Sequence, residues 1–140
     1  MEMFFYHGTS NTVAQDLIIG NIDLTRGGGE LGCGFYTGDF LWVAKSWAAN
    51  RFGNVGAVVS MQMADDSFFN LEPLLLTRID ALKHSKQIKS EGTTRTHKFN
   101  ENIVWSPIIG TTRIDAEQYK FESENAQSLL NSGNVLRKVV

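Results

Sequence analysis

The chain has 140 residues, enough for one domain spanning 1–140 and too few for two ordinary ones. Its net charge of −2 excludes a protein that grips nucleic acid through overall charge. Its single cysteine, Cys33, excludes an internal disulfide and a cysteine-rich zinc site, while 42% hydrophobic residues can build a core without such staples.

Residues 3–8, MFFYHG, predict an aromatic strand that stops at Gly8. Thr9 and Ser10 follow as N-cap candidates for a short helix over 12–19, which Gly20 would end. Residues 21–30 predict a flexible loop around Gly27, Gly28 and Gly29. The triplet lacks the phosphate-binding pattern G-x-x-x-x-G-K-[ST].

Residues 31–37 bring Gly32 and Gly34 on either side of Cys33, then a short strand Phe35-Tyr36-Thr37. Asp39 is the expected N-cap of a helix whose packed face carries Phe40, Val43, Ala44, Trp47 and Ala48. The plain reading of Trp47 and Tyr36 is core packing, and that of Cys33 is a small inert residue. Residues 56–63 predict a strand, as do 67–71. An apolar run at 74–76 follows Pro73, and 78–87 reads as helix.

Residues 78–98 are the basic part of the chain, with Arg78, Lys83, His84, Lys86, Lys89, Arg95, His97 and Lys98. A solvated loop is the default for such a run, and a phosphate or nucleic-acid contact is the sharper reading. Residues 102–109 predict a strand that Pro107 confines to an edge or an end. Residues 117–122 alternate, with Gln118, Lys120 and Glu122 on one face and Glu117, Tyr119 and Phe121 on the other. Ser123 opens a C-terminal helix ending near Gly133, and 135–140 predict the last strand. The sum is a β-rich α+β domain with about three short helices.

The N-terminus MEMFFYHGTS lacks the basic-then-apolar pattern of a secretory leader. No run approaches the roughly 20 apolar residues of a membrane helix. A cytoplasmic protein without membrane contact is expected. Three histidines and one cysteine leave no expected metal site. The serine-hydrolase elbow G-x-S-x-G is absent. Three strand ends remain as candidate chemistry: His7-Gly8, Phe35-Tyr36 and Gln118-Tyr119. Glycine opens the backbone to a planar carboxamide, His7 can donate to a ribose hydroxyl, Tyr36 can stack on a flat ring, and Gln118 or Glu117 can hold a second hydroxyl.

Those residues resemble the ADP-ribosyltransferases of the His-Tyr-Glu class, which includes diphtheria toxin and the poly(ADP-ribose) polymerases. Tyr6-His7-Gly8-Thr9 is similar to the first motif of that class. Gly32-Cys33-Gly34-Phe35-Tyr36-Thr37-Gly38-Asp39, with Lys45-Ser46 behind it, is similar to the second. Gln118-Tyr119-Lys120-Phe121 is similar to the third. The resemblance is closer still to small bacterial and phage domains of this superfamily, and 102–107 resembles the segment they carry before the third motif. It spans residues 4 to about 130.

The resemblance implies a split β-sandwich of two small antiparallel sheets with a few short helices, and NAD+ as co-substrate. It implies that His7 binds the nicotinamide ribose, Gly8 the carboxamide, and that Tyr36 stacks on nicotinamide. Thr9, Thr37 and Trp47 would border the cofactor. Gln118 stands where the class usually has its catalytic Glu, with Glu117 and Glu122 as reserves. The implied activity is transfer of one ADP-ribose unit to a protein or nucleic-acid acceptor. The implied context is a toxin held by an antitoxin or inhibitor protein, or a phage effector acting on its host. NAD+ hydrolysis, or NAD+ or partner binding without turnover, are the rival readings.

Overall fold

The structure, a computed structural model, describes residues 1–140. The chain forms two compact units. The first contains residues 1–22, 37–70 and 128–140, and the second 23–36 and 71–127.

In the first unit, β1 (Glu2–Ser10) pairs antiparallel with β3 (Gly56–Ala64) over all nine residues, from Glu2↔Ala64 to Ser10↔Gly56. Gly8 therefore does not end its strand: its predicted stop is overridden by a long partner that continues past it. β7 (Leu136–Val139) pairs antiparallel on the far side of β3. β2 (Phe35–Gly38) meets β1 at Tyr6↔Gly38. The sheet carries α1 (Asn11–Ile18), α2 (Leu41–Phe52) and α3 (Asp65–Phe69).

Ser10 caps α1 by accepting the Val13 N–H, as its position before the periodic run predicts. α2 begins at Leu41, one residue later than an Asp39 cap requires, with Phe40 as an N-cap that makes no side-chain bond. Its buried face is the narrow pair Ala44 and Ala48, packed on Val58 with Tyr6 and Leu41 beside it. Trp47 is 51% exposed and Phe40 42% exposed, so the broad aromatic face expected for this helix is turned outward.

The strand predicted over 67–71 is α3 instead. Asp65 and Asp66 sit in its first turn, where carboxylates favour a helix N-terminus. Phe68 is then aimed at Phe5, with ring centroids 5.3 Å apart and both side chains fully buried. Burying such a ring contributes about 1.5–3 kcal/mol.

In the second unit, β5 (Ile103–Pro107) pairs antiparallel with β6 (Glu117–Phe121), and the two-residue β4 (Leu74–Leu75) lies parallel to β5. Pro107 is the last residue of its strand, the place where a missing N–H costs least. α4 (Arg78–Glu91) is capped by Thr77 and ended by Gly92 at φ +69°. Residues 78–91 are thus a packed helix with Ala81, Ser85 and Ile88 buried, which bears out the helix expected over 78–87 and carries it on to Glu91. α5 (Glu124–Leu130) follows Ser123, whose hydroxyl accepts the Ala126 N–H. The core here is Leu31, Leu76, Ala81, Val104 and Ile109.

The α+β class holds, with five α-helices. The finer expectation of two separate antiparallel sheets differs from the pairing. In the second unit β4 runs parallel to its neighbour β5, so that strand set is mixed and not purely antiparallel. No helix is long and apolar enough to cross a membrane.

Candidate functional site

In the first unit the candidate residues are His7, Gly8, Thr9, Thr37 and Trp47. Side chains alternate along β1, so His7 shares a face with the buried Phe5 and Thr9. Gly8 presents the opposite face to α2. A Cβ at Gly8 would lie 2.6 Å from the Ala44 carbonyl oxygen and 3.2 Å from the Trp47 ring. The glycine is there because helix backbone crosses it at contact distance. The fold brings Gly8 and Trp47 together and directs His7 to the other face of β1.

The direction of Gly8's own backbone follows from the ladder. A residue in an antiparallel strand sends its N–H and C=O to the same side. The Val58 carbonyl accepts from Val140 N–H at 2.9 Å, on the β7 side. Val58 and its partner Gly8 are therefore a non-hydrogen-bonded pair. Gly8 turns its N–H and C=O away from β3, to the side where β1 meets β2 at Tyr6↔Gly38. Thr37, one step along β2 from that pair, is buried.

Trp47 is half-exposed and stands edge-on to Phe52, centroids 6.0 Å apart, with the Arg51 guanidinium 5.7 Å from its ring. It is a surface aromatic held by neighbours on its own helix, and the core role that was its plain reading belongs to Ala44 and Ala48.

In the second unit the candidates are Tyr36 and Gln118. The Tyr36 hydroxyl donates to the Gly32 carbonyl at 2.6 Å and accepts from Leu31 N–H at 3.0 Å. Burial pushes the phenol far above its ordinary value of 10, so it stays neutral. Its ring lies so close to Gly29 that a Cβ there would come within 2.9 Å of it. This overturns the expectation of a floppy glycine loop. Gly29 N–H donates to Thr94 O, Gly34 N–H to Gly27 O, and Cys33 N–H to His97 O. A Cβ at Gly27 would overlap the Gly34 carbonyl at 2.0 Å, and one at Gly28 would reach 2.7 Å from Thr94 O. The triplet is a close-packed strap. Cys33 is buried beneath it with its thiol aimed at the Leu24 carbonyl, 3.6 Å away.

Gln118, the second residue of β6, is buried. Its amide Nε2 donates to Glu30 Oε1 at 2.6 Å and to the Pro107 carbonyl at 3.1 Å. Glu30 Oε1 also accepts from Ile109 N–H at 3.2 Å. The two reserve carboxylates are occupied elsewhere. Glu117 points to the other face and accepts from Trp105 Nε1 at 3.2 Å. Glu122 pairs with Lys120 Nζ at 2.6 Å and accepts from the N–H groups of Phe99 and Asn100. Lys120 Nζ also donates to the Leu31 carbonyl at 2.8 Å. Burial holds the Lys120 ammonium below its ordinary value, against the opposing pull of Glu122. Gln118, Lys120 and Glu122 share a face, as alternation predicts, and they anchor 30–31 and 99–101.

Glu30 is the residue that sequence reasoning missed. It closes the glycine-rich stretch, but nothing in its local pattern points 88 positions ahead to Gln118. Two surface hollows, of about 320 and 430 Å³, lie elsewhere. One is lined by α2 and β3 residues including Lys45 and Val58, the other by Asn100, Glu122 and Gln127, and neither by His7, Tyr36 or Gln118. No group of three or more His, Cys, Asp or Glu residues is placed to hold a metal ion. Compared with protein-family models and with curated proteins, the chain matches none of them.

Proposed function

We propose that this protein is an NAD+-dependent mono-ADP-ribosyltransferase of the His-Tyr-Glu kind, with Gln118 in the third position. The observation that carries the reading is the backbone of Gly8. Its N–H and C=O turn to the β2 side at a position where the fold has excluded any side chain, which suits recognition of a flat carboxamide. The order of the three motifs along the chain supports it, as does the fixed hydroxyl of Tyr36, which sets its ring before a ligand arrives.

In this reading His7 binds the nicotinamide ribose, Gly8 the carboxamide, and Tyr36 stacks on the nicotinamide ring. Thr9, Thr37 and Trp47 border these groups, and Gln118 accepts a ribose hydroxyl. The C1′–N bond to nicotinamide breaks, its electron pair leaving with the ring nitrogen, which becomes neutral. A lone pair of the acceptor forms the new bond to C1′, and the acceptor's proton passes to solvent. The acceptor is a protein or a nucleic acid, and the setting a toxin restrained by an inhibitor protein or a phage effector in the host cytoplasm.

The neutral side chain of Gln118 favours a second reading, a module that binds NAD+ without turning it over. The two separate on incubation of labelled NAD+ with the protein and a cell lysate, followed by protease or nuclease digestion. Macromolecular label that Tyr36→Ala and His7→Ala abolish, in variants that remain folded, is the expected result. Bound but unconsumed NAD+ identifies the binding module, free ADP-ribose alone identifies hydrolysis, and unchanged labelling in both variants rejects the site.

A further inference from the structure

The amide of Gln118 has one workable orientation. Both groups within reach of its nitrogen, the Glu30 carboxylate and the Pro107 carbonyl, are acceptors, so only the NH2 can face them. Two donors meet two acceptors, and the amide carbonyl oxygen is left as the group that can accept from a ligand. Glu30 is itself steadied by Ile109 N–H, and its second oxygen lies 3.0 Å from where a Cβ of Gly110 would stand. A side chain at 110 would press on the carboxylate.

We infer that Glu30 is a positioning residue that acts through Gln118: by taking the amide hydrogens it presents the carbonyl oxygen of Gln118 to a ribose hydroxyl. The inference rests on the transferase reading above and adds a residue to it. It also gives the glycine strap a purpose. Close packing of Gly27, Gly28 and Gly29 fixes the backbone that delivers Glu30, and Lys120 clamps the next residue through the Leu31 carbonyl. A glutamine held in this way offers an acceptor where the class has a carboxylate. A free glutamine would as readily offer its NH2 and repel nothing but bind the wrong group.

The test is a set of variants assayed for NAD+ turnover, with folding followed by circular dichroism. Glu30→Gln keeps an acceptor oxygen for the amide and is expected to hold kcat/KM within about threefold. Glu30→Leu lets the amide turn over, and a loss of about tenfold or more is expected, the scale of one misplaced hydrogen bond. Gln118→Glu needs no orienting, because both carboxylate oxygens accept. It is expected to harm the protein while Glu30 is present, by setting two carboxylates in contact, and to restore activity in the Glu30→Leu background. That reversal of sign is not what a merely structural role of Glu30 produces.

A side-chain amide resonance of Gln118 that is shifted and exchange-protected in the ligand-free protein, and loses both properties in Glu30→Leu, supports the pairing independently of turnover. A wild type that turns over NAD+ while a folded Glu30→Leu matches it overturns the inference and leaves the transferase reading standing. Failure of Gln118→Glu to rescue Glu30→Leu also overturns it. A wild type that neither binds nor consumes NAD+ overturns both.

Discussion

Gly8 shows how one residue serves two demands. Its missing side chain lets α2 cross β1 at contact distance, with the Ala44 carbonyl where a Cβ would be. Its backbone polar groups meanwhile turn toward β2. Gly8→Ala must move helix backbone, which cannot yield as a side-chain tip does, so a loss of about 1–3 kcal/mol is expected in urea unfolding. An unchanged midpoint would show that α2 can withdraw freely. Gly53, by contrast, has open space around its Cβ position, yet its φ of +60° is what an L side chain resists. The same residue type is thus required for approach at one site and for conformation at the other.

The informative element is β6. Gln118 and Lys120 on one face of β6, with Glu122 just past its end, are buried polar side chains, and each is bonded to a segment distant in sequence. Lys120 is fully buried with Glu122 as its ion partner. Lys120→Met leaves Glu122 buried without its counter-charge, and a loss of about 3–5 kcal/mol is expected. The pH dependence has a definite sign. Burial holds the folded-state value of Lys120 below 10.5, its ordinary value. Between those two values the unfolded chain binds a proton that the folded chain does not. Its contribution to stability therefore rises with pH through that alkaline window and is complete above 10.5. Unfolding midpoints of the wild type and Lys120→Met against pH, with the difference narrowing toward the acid side, would check it; a difference that moves the other way would refute the assignment.

At the scale of the molecule, charge is locally concentrated although the total is −2. Residues 78–98 carry the six cationic side chains Arg78, Lys83, Lys86, Lys89, Arg95 and Lys98 against Asp80 and Glu91. Two of the six are used by the fold: Arg78 donates to the Ile108 carbonyl and Arg95 to that of Arg26. Lys83, Lys86, Lys89 and Lys98 remain exposed. If the acceptor of the proposed transfer is a nucleic acid, reversing Lys83, Lys86 and Lys89 to Glu should reduce its labelling at least tenfold and flatten the salt dependence. NAD+ consumption in the absence of acceptor should stay unchanged. Equal labelling by this variant at low and high salt would assign the acceptor to another surface or another class.

The sequence by itself determined what depends on near neighbours. The Ser10 cap, the Pro107 strand end, the alternation of β6 and the helix opened by Ser123 are each set by residues within a turn or two, and each is found where the pattern places it. The motif order on which the proposed function draws is likewise a property of the linear chain. Tertiary structure alone decided the rest. Residues 67–71 read as a strand, but 65–69 form a helix that sets Phe68 against Phe5. The glycine triplet reads as a mobile loop until Thr94, Gly34 and Tyr36 close on it. Gly8 reads as a stop until β3 runs past it. The third site reads as an uncharged Gln118 until Glu30 arrives across 88 positions. Local patterns report on covalent neighbours and conformational preference, whereas the partner that orients an amide is chosen by packing, which leaves no trace in spacing along the chain.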